Sequence, residues 1–144
     1  MTEEKINFYI TQALGELYSF EPNLISIKAE EESITAHLMC YLKKYFTSWS
    51  VDVEYNRAGK HTKDDSRGKC IFPDIIIHHR TPNQEKKYSP ENNLVAMEVK
   101  GYWNSKDRQI DKVKLIDMKM RYGYQYLFRI ELGKQMGQLI PVRV

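Results

Sequence analysis

Three charged residues, Asp74, Glu98 and Lys100, occupy two apolar segments near the middle of the chain. Asp74 begins the apolar part of "CIFPDIIIHH", and Glu98 and Lys100 lie within "LVAMEVKGYW". Both segments are typical of β-strands. Residues two apart in a strand share a face, so Glu98 and Lys100 point the same way, about 7 Å apart. The opposite face takes Val95, Met97 and Val99. If the two strands pair as a hairpin, Asp74 lies beside Glu98.

This arrangement has a chemical consequence. Two neighbouring carboxylates repel each other, and one of them tends to keep a proton unless a divalent cation lies between them. Hard oxygen ligands favour Mg²⁺ or Mn²⁺, and Mg²⁺ uses one or two carboxylates while leaving other positions to water and a phosphate. Lys100 would then lie near a water on the metal. The cluster therefore predicts a phosphodiester-cleaving site with Mg²⁺ (or Mn²⁺) as its cofactor.

The global properties of the chain are those of a single folded domain over residues 1–144. Its 42% hydrophobic and 28% charged residues exclude disorder. The two cysteines, Cys40 and Cys70, form neither a disulfide framework nor a CxxC metal motif. No segment has transmembrane length, and the N-terminus lacks a secretory signal, so we expect a cytoplasmic protein without a membrane partner. The net charge of +3 says little about nucleic acid.

Hydrophobic periodicity predicts the element order α-α-β-β-β-α-β-β, which is an α/β fold with a mixed sheet flanked by helices. The predicted inward residues are Ile6, Ile10, Leu14 and Leu17 in the first helix, Ile34, Leu38, Leu42 and Tyr45 in the second, and Ile110, Val113, Ile116 and Met120 in the third. Pro22 and Asn23 end the first helix, and Gly123 ends the third. "YQYLFRIEL" and "GQLIPVRV" are predicted to be the last two strands.

Pro73-Asp74, followed after a gap by Glu98-Val99-Lys100, resembles the PD-(D/E)XK nuclease superfamily, which has the restriction-endonuclease-like fold. The resemblance covers a catalytic core at 29–132, with 1–22 as an N-terminal helical extension. "VEYNR" and "DKVKL" are also similar to small standalone members. The resemblance implies that Asp74, Glu98 and the main-chain carbonyl of Val99 bind the metal, and that Lys100 orients or activates water. A glutamate from the preceding helix often joins such a site. Here it is Glu31, which lies on the inward stripe.

Basic residues in two segments predict contacts with a nucleic-acid backbone. The segments are the loop "RAGKHTKDDSRGK" and the third helix, and the candidates are Arg57, Lys60, Lys63, Arg67, Lys69, Lys112 and Lys114. His78 and His79 lack a third ligand for zinc, so we expect them to be solvated or to contact phosphate. Tyr102 and Trp103 either stack on bases or pack against a neighbour.

These observations lead to one hypothesis and two alternatives. The hypothesis is a metal-dependent nuclease acting on DNA, with Asp74, Glu98, Lys100 and Glu31 as its catalytic residues. One alternative is a catalytically inactive nucleic-acid-binding or assembly module with the same fold. The other is a nuclease acting on RNA or branched DNA. A homodimer is expected because a small domain covers little duplex, and the stripe of the first helix is its candidate contact.

Overall fold

The computed structural model describes residues 1–53, 66–67, 73–80 and 88–144. Its elements are α1 (Glu3–Phe20), α2 (Pro22–Ser26), α3 (Glu31–Lys43), β1 (Ser50–Val53), β2 (Ile75–His78), β3 (Asn93–Gly101), α4 (Arg108–Tyr122), β4 (Tyr126–Leu132) and β5 (Gly137–Pro141). The predicted order is confirmed, with the short α2 as an addition. Pro22 begins that helix, since its fixed φ suits a first helical position. Within the described ranges, no helix is long and apolar enough to cross a membrane.

The five strands form one mixed sheet in the order β1-β2-β3-β4-β5. β1, β2 and β3 are antiparallel neighbours, β3 and β4 are parallel, and β5 returns antiparallel to β4. A parallel pair needs a crossover connection, and α4 provides it. The predicted α/β class with a mixed sheet flanked by helices is therefore confirmed, and the architecture is compatible with a restriction-endonuclease-like fold.

One face of the sheet packs against α1 and α3 through apolar side chains. The predicted stripe of α1 is buried as expected, and so are Ile34, Leu38 and Leu42 of α3, whereas Tyr45 lies beyond the end of α3 and is half-buried. Because the stripe of α1 lies inside the core of its own chain, it is not free to contact a second copy. The expectation that Ile6, Ile10, Leu14 and Leu17 form a dimer contact is therefore wrong.

The other face of the sheet packs against α4, and here the predicted orientation of the helix is wrong. Ile110, Val113 and Met120 are exposed and Ile116 is only half-buried. The buried residues of α4 are Asp111, Leu115, Met118 and Tyr122. Gly123 does end the helix, at a positive φ of 77° that favours glycine. The inward face of α4 thus includes a charged residue that a hydropathy pattern assigns to solvent.

Candidate active site

The carboxylates of Asp74 and Glu98 lie side by side across the β2–β3 pair. The register places Ile75 opposite Met97, so Asp74, one residue earlier, comes opposite Glu98. Oδ2 of Asp74 accepts a hydrogen bond from the amide of Val99 at 2.8 Å. Burial raises the pKa of Glu98 well above its ordinary value, and the charge of Asp74 raises it further. The strand pairing thus creates the carboxylate pair that the hairpin interpretation expected.

Lys100 shares its side of β3 with Glu98 and is surrounded by acids. Its Nζ lies 3.3 Å from Oδ2 of Asp111 on α4. Partial burial lowers the pKa of Lys100, but the charge of Asp111, and then those of Asp74, Glu98 and Glu31, raise it above its ordinary value. Lys100 is therefore an ammonium ion that four nearby acids stabilise.

Helix α4 pairs both charged residues of β3. Nζ of Lys114 lies 2.7 Å from Oε1 of Glu98, while Asp111 faces Lys100. A helix that joins two parallel strands runs back antiparallel to them, so its earlier residue meets the later residue of β3. Asp111 and Lys114 are three apart and share one face of the helix. The result is two neighbouring ion pairs between β3 and α4, Glu98 with Lys114 and Lys100 with Asp111.

Asp111 is the site residue that the sequence reasoning missed. It is only 6% exposed, and Glu98 is only 2% exposed. Neither Oδ2 of Asp111 nor Oε1 of Glu98 makes a directed hydrogen bond within the described residues, so each lysine contact is an ion pair. The signal was present in "DKVKL". An acid and a base three apart on the crossover helix complement a base and an acid two apart on the preceding strand.

Glu31 reaches the end of β3 from the first turn of α3. Its Oε2 accepts a hydrogen bond from the amide of Gly101 at 2.7 Å, and its Oε1 accepts one from Nδ2 of Asn104 at 2.9 Å. Its neighbours in the chain, Glu30 and Glu32, are exposed. Glu31 therefore fixes the backbone that directly follows Lys100.

A pocket of about 310 Å³ opens beside these groups. Its lining includes Glu31, Asp74 and Lys100, together with Glu32, Thr35 and Val53. Glu98 does not belong to the lining, and it is almost fully buried. Three of the four predicted catalytic residues thus face one solvent-accessible cavity, and the fourth supports it from within.

The charged layer continues onto β4. Arg129 and Glu131 are paired in register with Glu98 and Lys100. Nη1 of Arg129 lies 3.0 Å from Oε1 of Glu131, and Nε of Arg108 donates to the same oxygen at 2.7 Å. Arg108 is therefore engaged with an acid of the sheet, which leaves it less available to a nucleic-acid phosphate.

The predicted phosphate-binding cations have different outcomes. Arg57, Lys60, Lys63 and Lys69 lie outside the described residues. Arg67 is exposed, next to Ser66, whose amide and hydroxyl contact Oδ2 of Asp117 at 3.4 Å. Lys112 is half-buried on α4. Lys114 is placed inside the site against Glu98, which differs from the expected outward contact with phosphate.

The two histidines do not behave as solvated residues. His78 is 3% exposed, and its Nε2 lies 2.7 Å from Oδ2 of Asp52. Arg80 donates to both carboxylate oxygens of Asp52. The ring of His79 stacks on Trp49, with 3.9 Å between the ring centres. The expectation of solvated or phosphate-contacting histidines is wrong for His78, because His78 is buried and Asp52 of the neighbouring strand is its partner.

The donor set limits how a metal ion can be held. Within the described ranges, no group of three or more His, Cys, Asp or Glu side chains is arranged to hold one. Two crowded carboxylates remain, Asp74 and Glu98, with the main-chain carbonyl of Val99 between Glu98 and Lys100. These are oxygen donors, and hard divalent cations prefer such ligands.

Comparisons with known proteins add little to this geometry. No protein-family model and no curated protein matches the chain. Among solved structures, a cryo-EM structure of a DrdV–DNA complex is similar, with a TM-score of 0.48 and 14% sequence identity. The similarity covers 99% of this chain, which spans only 12% of the length of that chain. A likeness at this level assigns neither an activity nor a partner.

Proposed function

We propose that this protein is a Mg²⁺- or Mn²⁺-dependent nuclease that hydrolyses phosphodiester bonds in DNA. The observation that carries the proposal is the side-by-side placement of Asp74 and Glu98, with Lys100 on the same face of β3. A sheet does not bury two adjacent carboxylates without compensation, because each charge loses its hydration and the two repel. A site that gathers a cation and a phosphate at this point explains the arrangement.

The residues present fit a divalent cation. Asp74 and Glu98 would hold it through carboxylate oxygens, and the main chain of Val99 through its carbonyl. Two side-chain ligands suit Mg²⁺, which keeps other positions for water and substrate. When bound, the ion supplies Lewis acidity toward the phosphate and favours ionisation of water. Burial and the charge of Asp74 raise the pKa of Glu98, and a divalent cation between the two carboxylates would offset both effects.

Lys100 provides positive charge beside the attacking water and the phosphate. The ammonium faces the pocket that Asp74 and Glu31 also line. A fixed ammonium in a partly buried pocket stabilises negative charge that develops on the phosphate, at little cost in reorganisation. Asp111 holds the ammonium from the side of α4. Lys100 therefore orients water and stabilises charge.

Glu31 is an auxiliary residue in this proposal. Its two oxygens are bound to the amide of Gly101 and to Asn104, so it fixes the chain that follows Lys100. Its carboxylate also adds negative charge to the pocket. The position supports a role in orienting the lysine strand and attracting the cation.

Binding of the DNA backbone is assigned to basic residues at the periphery. We propose Arg57, Lys60, Lys63, Arg67, Lys69 and Lys112 for this role. The contacts of Ser66 with Asp117 place residue 67 near α4, which also carries Lys112. Lys114 is assigned instead to Glu98, as a resident counter-charge at the site.

A non-catalytic nucleic-acid-binding module is the second candidate, and one observation favours it. Lys114 and Lys100 already place two ammonium groups against the acids. A carboxylate cluster neutralised by lysines is stable without a metal ion, and fold alone does not establish activity. The two candidates differ in whether a divalent cation binds.

Cleavage assays on site variants test the proposal. The substrates are supercoiled, linear, single-stranded and branched DNA and RNA, each with Mg²⁺, Mn²⁺ or a chelator. We expect metal-dependent cleavage of DNA by the parent, and a loss on the order of 10²-fold or more for Glu98→Gln and Lys100→Ala. Their DNA affinity should persist, because it comes from the peripheral cations.

The matched control is Lys43→Ala, which removes an exposed lysine at the end of α3 and should cleave like the parent. Calorimetry with Mn²⁺ gives a second reading that does not depend on turnover. Asp74→Asn should lose the binding heat that the parent shows. A parent protein that binds DNA but neither binds Mn²⁺ nor cuts any substrate would establish the non-catalytic module instead.

A further inference from the structure

An exposed tyrosine follows the strand that carries the candidate catalytic residues. Tyr102 lies two residues after Lys100 and is 39% exposed. Its amide donates to the carbonyl of Leu132 at 2.8 Å, which ties it to the end of β4. Its ring meets Trp103 edge-on, with 5.2 Å between the ring centres. The backbone and one neighbour therefore hold the ring, while much of its surface stays open.

The ammonium groups of two lysines from separate parts of the chain lie over this ring. Nζ of Lys28, just after α2, lies 5.8 Å from the ring centre, and Nζ of Lys134, between β4 and β5, lies 5.7 Å from it. Neither forms an ion pair with an acid in the described part of the chain. Lys28 also has a φ of 54°, which a non-glycine residue adopts at a cost. Two positive charges that no acid in the described part of the chain pairs with thus lie close to one aromatic ring.

A pocket of about 350 Å³ lies beside the ring. Tyr102 forms one wall, and the turn between β4 and β5 forms another, with Gly133 and the exposed Met136. A Cβ at Gly133 would come within 2.7 Å of the carbonyl oxygen of Met136, so only glycine fits there. The one acid in the lining, Glu131, is already paired with Arg108 and Arg129. The pocket is therefore small, partly apolar and bordered by net positive charge.

We infer that Tyr102, Lys28 and Lys134 form a binding site for one unpaired nucleotide of a DNA strand. The base takes the place of the two ammonium groups over the ring of Tyr102 and enters the pocket, and the lysines move to its flanking phosphates. Aromatic rings bind bases in this way when the base faces are free, whereas a base inside a duplex is already stacked on its neighbours. The inference rests on the proposed function, because Tyr102 follows Lys100 by two residues, just after the end of the same strand. It names the substrate class as DNA with single-stranded character at the cut.

Binding measurements in chelator test the inference without any cleavage. Fluorescence anisotropy gives the Kd of one labelled sequence as a single strand and as a duplex. Tyr102→Ala should weaken single-strand binding by about 5- to 100-fold, as expected for the loss of one stacked base, and should change duplex binding less than twofold. Tyr102→Phe keeps the ring and should bind like the parent. A 2-aminopurine base in the strand should be quenched by the parent and by Tyr102→Phe, but not by Tyr102→Ala.

The contribution of the two lysines is measured separately, from the salt dependence of binding, and it has a matched control. The double variant Lys28→Ala/Lys134→Ala should reduce the slope of log K against log salt by about 0.7 per lysine on a single strand. Lys5→Ala removes a lysine that also lies over a tyrosine, 5.6 Å from the ring centre of Tyr9 on α1, and should leave the slope unchanged. Thermal unfolding confirms that each variant is folded.

The outcomes separate this inference from the proposed function. If Tyr102→Ala binds single strands as tightly as the parent while the parent still cleaves DNA, the nucleotide site is wrong and the nuclease stands. If the stacking and salt effects appear but no metal supports cleavage, the nucleotide site at Tyr102 is correct and the protein is the non-catalytic binding module. Equal losses in duplex and single-strand binding would also overturn the inference, because they indicate backbone attraction alone.

Discussion

The two faces of β3 show how one strand serves two purposes. Val95, Met97 and Val99 point into the apolar core that α1 and α3 complete. On the other face, Ala96 belongs to a smaller apolar cluster with the C-terminal half of α4, while Glu98 and Lys100 meet the N-terminal half. Burial alone accounts for the first face. The second face changes from apolar to charged within two residues.

The difference teaches where stability and chemistry are located in this fold. Apolar burial stabilises by roughly 25 cal/mol per Å² and does not depend on the precise partner. Buried ion pairs contribute little net stability, because desolvation offsets their attraction, but breaking one leaves an uncompensated charge. The α1 and α3 face therefore holds the domain together, and the charged half of the α4 face holds the candidate site in position.

The largest expected effect lies on the apolar face. Leu38 of α3 is fully buried, so Leu38→Ala should lower the free energy of unfolding by about 2–5 kcal/mol through lost burial and the cavity left behind. Urea unfolding followed by circular dichroism measures it. The folded variant should still bind Mn²⁺ with the affinity of the parent, because the change does not touch the charged layer. A loss under about 1 kcal/mol, or a weakened metal site, would break the division between the faces.

The same division explains how much of the structure the sequence predicted. The stripe of α1 was correct, and so was that of α3 apart from Tyr45, because their partners on the sheet are apolar and burial and hydropathy agree. The stripe of α4 was wrong because this helix must face Glu98 and Lys100, and so turns Asp111 inward and leaves Val113 exposed. The strand pairing of Asp74 with Glu98 was predictable from alternation and hairpin order. The role of Lys114 was not, since hydropathy places a helical lysine in solvent.

An intermediate effect is expected when the counter-charge of Glu98 is removed. Lys114→Met leaves the buried carboxylate beside Asp74 without its ammonium, so unfolding should become easier by about 1–3 kcal/mol at neutral pH. Millimolar Mn²⁺ should restore part of this loss, because the divalent cation compensates the same charge. Thermal unfolding with and without Mn²⁺ measures both effects. The loss of stability is limited, because Glu98 can take up a proton and so lose its uncompensated charge.

The control for this prediction is the double variant Glu98→Gln/Lys114→Met. It has no uncompensated charge at position 98, so it should be more stable than Lys114→Met alone and should gain less from Mn²⁺. The prediction fails if Lys114→Met is as stable as the parent and responds to Mn²⁺ as the double variant does. Glu98 and Lys114 would then not be energetically coupled. The charged half of the α4 face would then be an ordinary solvated surface.

The smallest expected effect tests the corrected orientation of α4. Val113 was predicted to point inward but is 52% exposed, whereas Leu115, two residues later, is fully buried. Val113→Gln should change the free energy of unfolding by less than about 0.5 kcal/mol, because it replaces an exposed residue with a better helix former. Leu115→Ala, the matched variant on the buried side, should cost about 2–5 kcal/mol. Urea unfolding of both compares the two sides of one helix within a single turn. If Val113→Gln were the more damaging change, the apolar stripe would be the inward face after all, and Asp111 and Lys114 would lose their place opposite Lys100 and Glu98.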